Sequence, residues 1–287
     1  MPQGFLVGHW TDLEGCTGCT VVLAPDGAVS GVDVRGAASA TLCTDSLRPG
    51  ALIERAHAVL LTGGSAFGLE AVAGVMRYLE EREIGYQLGG VIVPIVAGAV
   101  IFDLPFGDPR ARPDRDAGYA ACVAASATPE VGSVGGGTGA TVAKAGDRSQ
   151  LRRGGIGIAA ARAGEATVAA VMVVNSVGGI WDDERHQWVA ELGAWDGSSG
   201  LIAGANTTIG AIITDAQLSK AQANRVATVA HDGIARAIRP AHTMYDGDTL
   251  FCLASGAVEA PYDTVEVLAA DLVARAIAEG VRAAQRS

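Results

Sequence analysis

The sequence has few aromatic residues, an excess of acidic over basic residues, and no long uninterrupted apolar run. Aromatic side chains make up only 5% of the 287 residues, whereas glycine occurs 39 times. This pairing indicates tightly packed layers with close backbone approaches. Acidic residues outnumber basic ones by 31 to 21, which gives a net charge of −10. Because such a surface repels phosphate backbones, nucleic acid is not expected as a partner.

Membrane-targeting and metal-binding patterns are also missing. Residues 1–8 have no basic start, and the apolar stretch at 89–104 is interrupted by Pro94 and too short for a membrane span. We therefore expect a cytoplasmic protein with no membrane partner. The odd number of cysteines, five, argues against a disulfide framework. Cys16 and Cys19 have CxxC spacing, but no second ligand pair accompanies them, so neither a metal nor a cofactor is predicted.

Apolar residues make up 49% of the chain, enough for a sizeable core, and their periodicity alternates between strand-like and helix-like stretches. Strands are predicted at 20–23, 31–35, 58–61, 91–96, 99–104, 156–160, 167–175, 208–214 and 249–254, and helices at 66–82, 117–127, 219–238 and 263–285. A turn at 25–27 is expected between the first two strands, a surface loop at 105–116, and a flexible connection at 180–204. This order predicts an α+β or layered α/β/α protein without a dinucleotide-binding βαβαβ run.

The junction between Asn206 and Thr207 carries the first candidate chemistry. A threonine hydroxyl is a weak nucleophile until a base activates it, and the free α-amino group of the same residue can be that base. This chemistry requires cleavage of the preceding peptide bond, and the small residues around the junction favour the necessary bend. The same residues also suit an ordinary turn followed by the start of a strand, so the pattern alone leaves both interpretations open.

Two carboxylates, Asp246 and Asp248, stand two residues apart just before a predicted strand. Side chains at this spacing in an extended segment face the same way. They could orient an ammonium group or a threonine hydroxyl, bind a metal, or cap a turn, since Asp-Gly is a common turn pair.

Two further patterns are interpreted as structural. The glycine cluster at 135–139 lacks the Gly-Lys-Ser/Thr ending of a phosphate-binding loop, so it predicts close backbone approach beside a cleft. The five histidines are scattered along the sequence without metal-binding spacing, and each is interpreted as structural or exposed.

An ordered series of short motifs extends from about residue 8 to residue 275. The series consists of Thr11-Asp12, Gly18-Cys19-Thr20-Val21-Val22, Val34-Arg35-Gly36, Leu61-Thr62-Gly63-Gly64-Ser65-Ala66-Phe67-Gly68-Leu69, Val93-Pro94-Ile95-Val96, Gly137-Thr138-Gly139-Ala140-Thr141, Asn206-Thr207-Thr208-Ile209-Gly210, Ala223-Asn224-Arg225-Val226-Ala227 and Asp246-Gly247-Asp248-Thr249. Together these motifs resemble the DmpA-type L-aminopeptidase/D-esterase family of N-terminal nucleophile hydrolases. The Asn-Thr pair and the Asp-Gly-Asp run look more like the nylon-oligomer hydrolase branch of that family.

The resemblance implies an α+β fold, a four-layer αββα sandwich, with residues 1–287 forming a single catalytic domain. It further implies self-cleavage into a large subunit, 1–206, and a small subunit, 207–287. The two fragments would stay associated, and processed heterodimers would assemble into a homotetramer.

The resemblance also assigns roles to individual residues. Thr207 would be the nucleophile, its freed amine the base, and Asp246 and Asp248 would position and polarise both groups. Asn175 would stabilise the oxyanion, because an amide N–H can donate to it without changing charge. Lys144 would be the family's active-site lysine. Without the resemblance, Asn175 could be a turn residue at a strand end and Lys144 a solvated surface lysine.

One position departs from the family pattern. Some relatives have a tyrosine where this chain has Phe102, and phenylalanine has no hydroxyl to donate to an oxyanion. The oxyanion region, to which Phe102 and Thr208 are assigned, would then depend on Asn175 or a backbone N–H.

The predicted function is hydrolysis of amide bonds in small peptides, amino-acid amides or 6-aminohexanoate oligomers through an acyl-enzyme on Thr207. The alternatives are an acyltransferase of the ornithine acetyltransferase type and a non-catalytic oligomeric scaffold.

Overall fold

The computed structural model describes residues 1–144, 151–193 and 206–286. The strands are β1 Leu6–Asp12, β2 Thr17–Val34, β3 Thr41–Leu42, β4 Arg55–Thr62, β5 Tyr86–Leu88, β6 Val91–Val93, β7 Val96–Val100, β8 Thr141–Val142, β9 Arg152–Arg153, β10 Gly155–Ala163, β11 Ala166–Asn175, β12 Gly179–Asp182, β13 Gln187–Ala190, β14 Thr207–Ala216, β15 Ile238–Arg239 and β16 Thr249–Val258. The α-helices are α1 Ala71–Glu80, α2 Arg115–Val123, α3 Lys220–Ala237 and α4 Tyr262–Ala284. No helix in these ranges combines the length and apolarity needed to cross a membrane.

The largest sheet in the described residues is mixed and has nine strands. Its strand order is β10-β11-β14-β16-β2-β4-β7-β3, and β1 pairs with β2 outside this path. Most neighbours are antiparallel, whereas β14 with β16 and β4 with β7 are parallel pairs. The two strands nearest the middle of this order, β16 and β2, connect a half that carries β10, β11 and β14 to a half that carries β4 and β7.

Alternation of side chains along the strands separates three apolar cores. On β11, Val171 and Val173 point into a central core that also contains Val59 and Leu61 of β4. The intervening Met172 lies in a second core together with the buried faces of α3 and α4. A third core joins the outer face of β2 and β4 to α1 and α2. Because side chains on a strand alternate between faces, the two halves of the sheet pack face to face with helices on both outer sides.

This arrangement confirms the four-layer αββα sandwich. The two β layers are halves of a single continuous sheet. The continuity depends on β2, an 18-residue strand whose first part pairs with β1 and β4 and whose second part pairs with β16.

The predicted turn at 25–27 is wrong, since β2 runs through it. The register between β2 and β4 shifts between Leu23 and Ala28, and Gly27 there has a φ of +71°. Extra residues in one strand of a pair form a bulge that bends and twists the strand. The turn-forming residues therefore bend β2 from one half of the sheet toward the other, and the chain does not reverse.

Other element boundaries also differ from the prediction; the predicted helix at 117–127, for example, spans Arg115–Val123. The predicted helix at 66–82 begins as a 3-10 helix, Ser65–Glu70, and becomes α-helical at Ala71. The predicted strand at 99–104 ends at Val100. The predicted flexible connection at 180–204 contains the paired strands β12 and β13, and its residues 194–204 lie outside the described residues.

The glycine cluster makes the close approaches predicted for it. A Cβ on Gly136 would lie 2.7 Å from the Leu61 carbonyl oxygen, and one on Gly137 would lie 2.3 Å from the Ile156 nitrogen. Distances under 3 Å cannot be occupied without backbone movement, so these positions need glycine.

Candidate active site

Thr207 is the first residue of β14, in the interior of the large sheet. Its Cα partner on β11 is Asn175, the last residue of that strand. On the other side β14 pairs with β16, which begins directly after the Asp-Gly-Asp run. Thr207 is 3% exposed and Asn175 is completely buried. The sheet thus brings together strand ends that are far apart in sequence.

The Asn206 carbonyl group has two hydrogen-bond donors. Thr207 Oγ1 lies 2.5 Å from the Asn206 oxygen, and the Gly247 backbone N–H donates to the same oxygen over 2.9 Å. A parallel bridge between Asn206 and Asp246 keeps the two segments in register. A Cβ on residue 247 would lie 2.8 Å from Thr207 Oγ1, so glycine is needed for this approach. The hydroxyl therefore lies beside the carbonyl of the preceding residue, whose oxygen is already polarised.

Asn175 is oriented by contacts at both ends of its amide. Its Oδ1 accepts hydrogen bonds from the Thr141 backbone N–H over 3.0 Å and from Lys144 Nζ over 2.7 Å. Its Nδ2 donates to the Phe102 carbonyl oxygen over 3.3 Å. Phe102 thus contributes a backbone acceptor that contacts the candidate oxyanion donor.

Lys144 lies at the same site and is not a solvated surface lysine. Its Nζ also donates to the Asn175 backbone carbonyl over 3.1 Å. Burial lowers the pKa of Lys144 to about 7, although the charges of Asp246 and Asp103 act to raise it. A lysine with such a pKa can hold or release a proton near neutrality.

Asp248 connects the residue after Thr207 to a histidine. Its Oδ1 accepts from the Thr208 backbone N–H over 2.7 Å, and its Oδ2 accepts from the backbone N–H of His242 over 3.3 Å and contacts His242 Nδ1 at 2.8 Å. Asp248 is 2% exposed. The backbone N–H of Thr208, a residue assigned from the sequence to the oxyanion region, thus has Asp248 as its acceptor in this structure.

Asp246 has its own set of partners. Its Oδ2 accepts from the backbone N–H of Thr243 over 2.8 Å and from Thr243 Oγ1 over 2.6 Å. Burial raises the pKa of Asp246, and the charge of Asp248 raises it further. The two carboxylates were expected to face the same way, toward Thr207. Within the described residues, neither of them accepts a hydrogen bond from Thr207, whose hydroxyl contacts the Asn206 carbonyl oxygen.

Two titratable residues of this region were not found by sequence reasoning. Asp103 is 3% exposed and accepts from Thr17 Oγ1 and the Gly64 backbone N–H, each over 2.7 Å. Burial has the larger effect on the pKa of Asp103 and raises it, whereas the two hydrogen bonds lower it. His242 is one of the five histidines that the sequence pattern indicates to be structural or exposed. In the sequence, Asp103 could have been noticed as an isolated acidic residue after an apolar run. His242 could have been noticed because it lies four residues before Asp246.

The fold and the comparisons with known proteins define the class of protein. The L-aminopeptidase D-Ala-esterase/amidase of Ochrobactrum anthropi, a variant of the Ntn hydrolase fold, superposes with a TM-score of 0.76 at 19% identity, covering 97% of this chain and 84% of that one. This fold is therefore that of the N-terminal nucleophile hydrolases. The model of peptidase family S58 matches residues 3–287. The chain belongs to peptidase family S58 and is a hydrolase of amide or peptide bonds.

Relatives with higher identity agree with this placement. An uncharacterized aminopeptidase of Mycobacterium leprae is 46% identical, over 90% of this chain and 78% of the relative. The 6-aminohexanoate-oligomer endohydrolase of a Kocuria species is 34% identical, over 90% of this chain and 75% of the relative. Both the DmpA-type resemblance and its nylon-oligomer hydrolase branch are thereby confirmed as relationships.

Proposed function

We propose that the chain cleaves itself between Asn206 and Thr207 and then uses Thr207 as an N-terminal nucleophile to hydrolyse amide bonds. The observation that carries this proposal is the Asn206 carbonyl group, which has the Thr207 hydroxyl beside it and the Gly247 N–H on its oxygen. A serine or threonine in this relation to the preceding carbonyl can attack it, and a preplaced donor stabilises the charge that develops.

The processing step would proceed through an ester. Thr207 Oγ1 attacks the Asn206 carbonyl carbon, and the oxyanion that forms keeps the hydrogen bond from Gly247 N–H. The Thr207 nitrogen takes up the hydroxyl proton and leaves as the C–N bond breaks. Water then hydrolyses the ester, which yields a carboxylate on Asn206 and restores the hydroxyl of Thr207.

In the processed enzyme the freed α-amino group of Thr207 acts as the general base. It accepts the proton of Thr207 Oγ1 as that oxygen attacks the substrate carbonyl. Asn175 Nδ2 donates to the oxyanion, while Lys144 fixes the opposite end of the Asn175 amide. Asp246 and Asp248 stabilise the protonated amine. The leaving amine receives the proton, and water releases the acyl group from Thr207.

The substrates we propose are small peptides, amino-acid amides and 6-aminohexanoate oligomers. The name of the Mycobacterium leprae relative supports an aminopeptidase, and that of the Kocuria relative supports the oligomers. A neutral or cationic substrate also suits the acidic chain, whose net charge is −10.

Hydrolysis of a substrate panel tests the proposed function. Purified protein would be incubated with L-, D- and β-aminoacyl amides and with 6-aminohexanoate oligomers, and product formation measured with and without an amine acceptor. We expect hydrolysis of at least one class, and no turnover by Thr207→Ala. Transfer to the acceptor that exceeds hydrolysis would favour the acyltransferase alternative. Turnover by Thr207→Ala equal to wild type would contradict the role of Thr207.

A further inference from the structure

His242 lies behind the Asp-Gly-Asp run, on the opposite side of Asp248 from Thr208. Both its backbone N–H and its Nδ1 contact one oxygen of Asp248, over 3.3 and 2.8 Å, while the other oxygen of Asp248 binds Thr208 N–H. The carboxylate therefore bridges the imidazole and the backbone one residue beyond the candidate nucleophile.

The backbone at His242 is itself constrained. Its φ is +55°, in the left-handed region that non-glycine residues rarely adopt. This conformation allows the N–H and the ring of the same residue to reach one carboxylate oxygen. Such local strain persists where surrounding contacts determine it, and here the contacts are those with Asp248.

The charged and titratable neighbours of His242 come from three directions. Its ring packs edge-on against His231 of α3, with centroids 5.0 Å apart. His231 is completely buried, its Nε2 contacts the Asp33 carbonyl over 3.1 Å, and burial lowers its pKa to about 4, so it is neutral. Arg35, the residue directly after β2, is paired with Asp33 and Asp232. Burial lowers the pKa of His242, but the hydrogen bond to Asp248 and its charge outweigh burial and raise it.

We propose that His242 is a positioning residue that holds Asp248 in place and offsets its negative charge, so that Asp246 can ionise beside it. This inference rests on the proposed function, because it assigns Asp246 and Asp248 to the amine of Thr207. His242 carries the compensating positive charge below its pKa, which the hydrogen bond to Asp248 and its charge raise, and loses that charge as the pH rises through this pKa. Without the positive charge, two buried carboxylates would face each other, and like charges raise the pH at which the second ionises.

The test separates geometry from charge with two variants. His242→Asn tolerates a positive φ and places an amide N–H where histidine has Nδ1, but it cannot become a cation. In the pH profile of kcat/KM for this variant, the acidic limb should move to higher pH by about half a unit to one unit, because Asp246 ionises less readily beside an uncompensated Asp248. His242→Ala loses both properties, and its kcat should fall by roughly tenfold, the effect of one hydrogen bond to a charged group.

His186 provides a matched control, because it also has a positive φ, +52°, but lies in the exposed turn between β12 and β13. His186→Asn and His186→Ala should leave the pH profile and kcat unchanged. A His242→Asn profile that superimposes on wild type, with full activity of His242→Ala, would overturn the proposal.

A titration of the wild-type imidazoles by NMR does not depend on activity. The resonance absent from His242→Asn should titrate above pH 6.5, and its pKa should fall in Asp248→Asn. An imidazole pKa unaffected by Asp248→Asn would overturn the inference. If the wild-type chain neither processes nor hydrolyses any substrate, the proposed function fails, and this titration decides the His242–Asp248 pairing separately.

Discussion

At the scale of single residues, Asn175 combines complete burial with partners at both ends of its amide. Thr141 N–H and Lys144 Nζ bind its oxygen, and its nitrogen faces the Phe102 carbonyl. An amide fixed in this way is preorganised, which is what gives an oxyanion donor its effect in the transition state.

Replacing Asn175 by aspartate keeps the acceptor oxygen and removes the donor. We expect processed Asn175→Asp protein to lose roughly 10²- to 10³-fold in kcat with little change in KM, as for loss of one oxyanion donor. Steady-state kinetics on the processed fraction would measure this loss. Ser176→Ala is the neighbouring control, since its hydroxyl donates to Gly178 O and not to the site. A kcat of Asn175→Asp close to that of wild type would exclude the donor role.

The sequence could predict which residues meet at this site but not their contacts. The family resemblance assigned roles to Thr207, Asn175, Lys144, Asp246 and Asp248, and the structure places these residues near one another. The periodicity could not reveal that the two carboxylates have different partners, because those partners depend on the backbone of the 240–248 loop.

At the scale of elements, the close contact between α1 and α2 depends on small residues. A Cβ on Gly74 would lie 1.7 Å from the Arg115 carbonyl oxygen, and one on Gly118 would lie 2.0 Å from the Ala71 carbonyl oxygen. Each helix therefore approaches the backbone of the other through a glycine.

Gly74→Ala should destabilise the fold even though alanine is the better helix former by about 1 kcal/mol. The forced separation of α1 and α2 should lower the free energy of unfolding by about 1–3 kcal/mol, the usual cost of overpacking. Urea unfolding of the Thr207→Ala chain, which stays in one piece, would measure it. Gly50→Ala is the control, since a Cβ there meets nothing within 4 Å. A Gly74→Ala chain as stable as its parent would contradict this packing account.

Element types were more predictable than element ends. Apolar periodicity gave β11, β14, α3 and α4 nearly as they occur. It gave a turn inside β2 because Pro25-Asp26-Gly27 has turn chemistry, and only the pairing of both flanks within one sheet converts that turn into a bulge.

At the scale of the whole molecule, cleavage before Thr207 would leave two fragments that both contribute strands to the same sheet. The small fragment, 207–287, supplies β14 and β16, which lie between β11 and β2 of the large fragment. Its helices α3 and α4 cover the same half of the sheet and share one core with β11. Neither fragment retains a complete core without the other.

The processed fragments should therefore remain together in native buffer and separate only when the sheet unfolds. Size-exclusion chromatography should give a single peak containing both fragments, and the same sample in denaturant should give two. Intact Thr207→Ala protein serves as the size standard. Separation of the fragments in native buffer would contradict the interleaved topology. The homotetramer of processed heterodimers stays a prediction, which light scattering on that peak would examine.

The central claim is that Thr207 frees its own amine, and the masses of the purified chains test it most directly. Mass spectrometry of wild-type protein should find two chains, 1–206 and 207–287, with the small chain beginning Thr-Thr-Ile-Gly. Thr207→Ala should give one uncleaved chain, whereas Thr208→Ala should still be cleaved at the same bond. A wild-type chain that remains intact, or cleavage that persists in Thr207→Ala, would contradict the account.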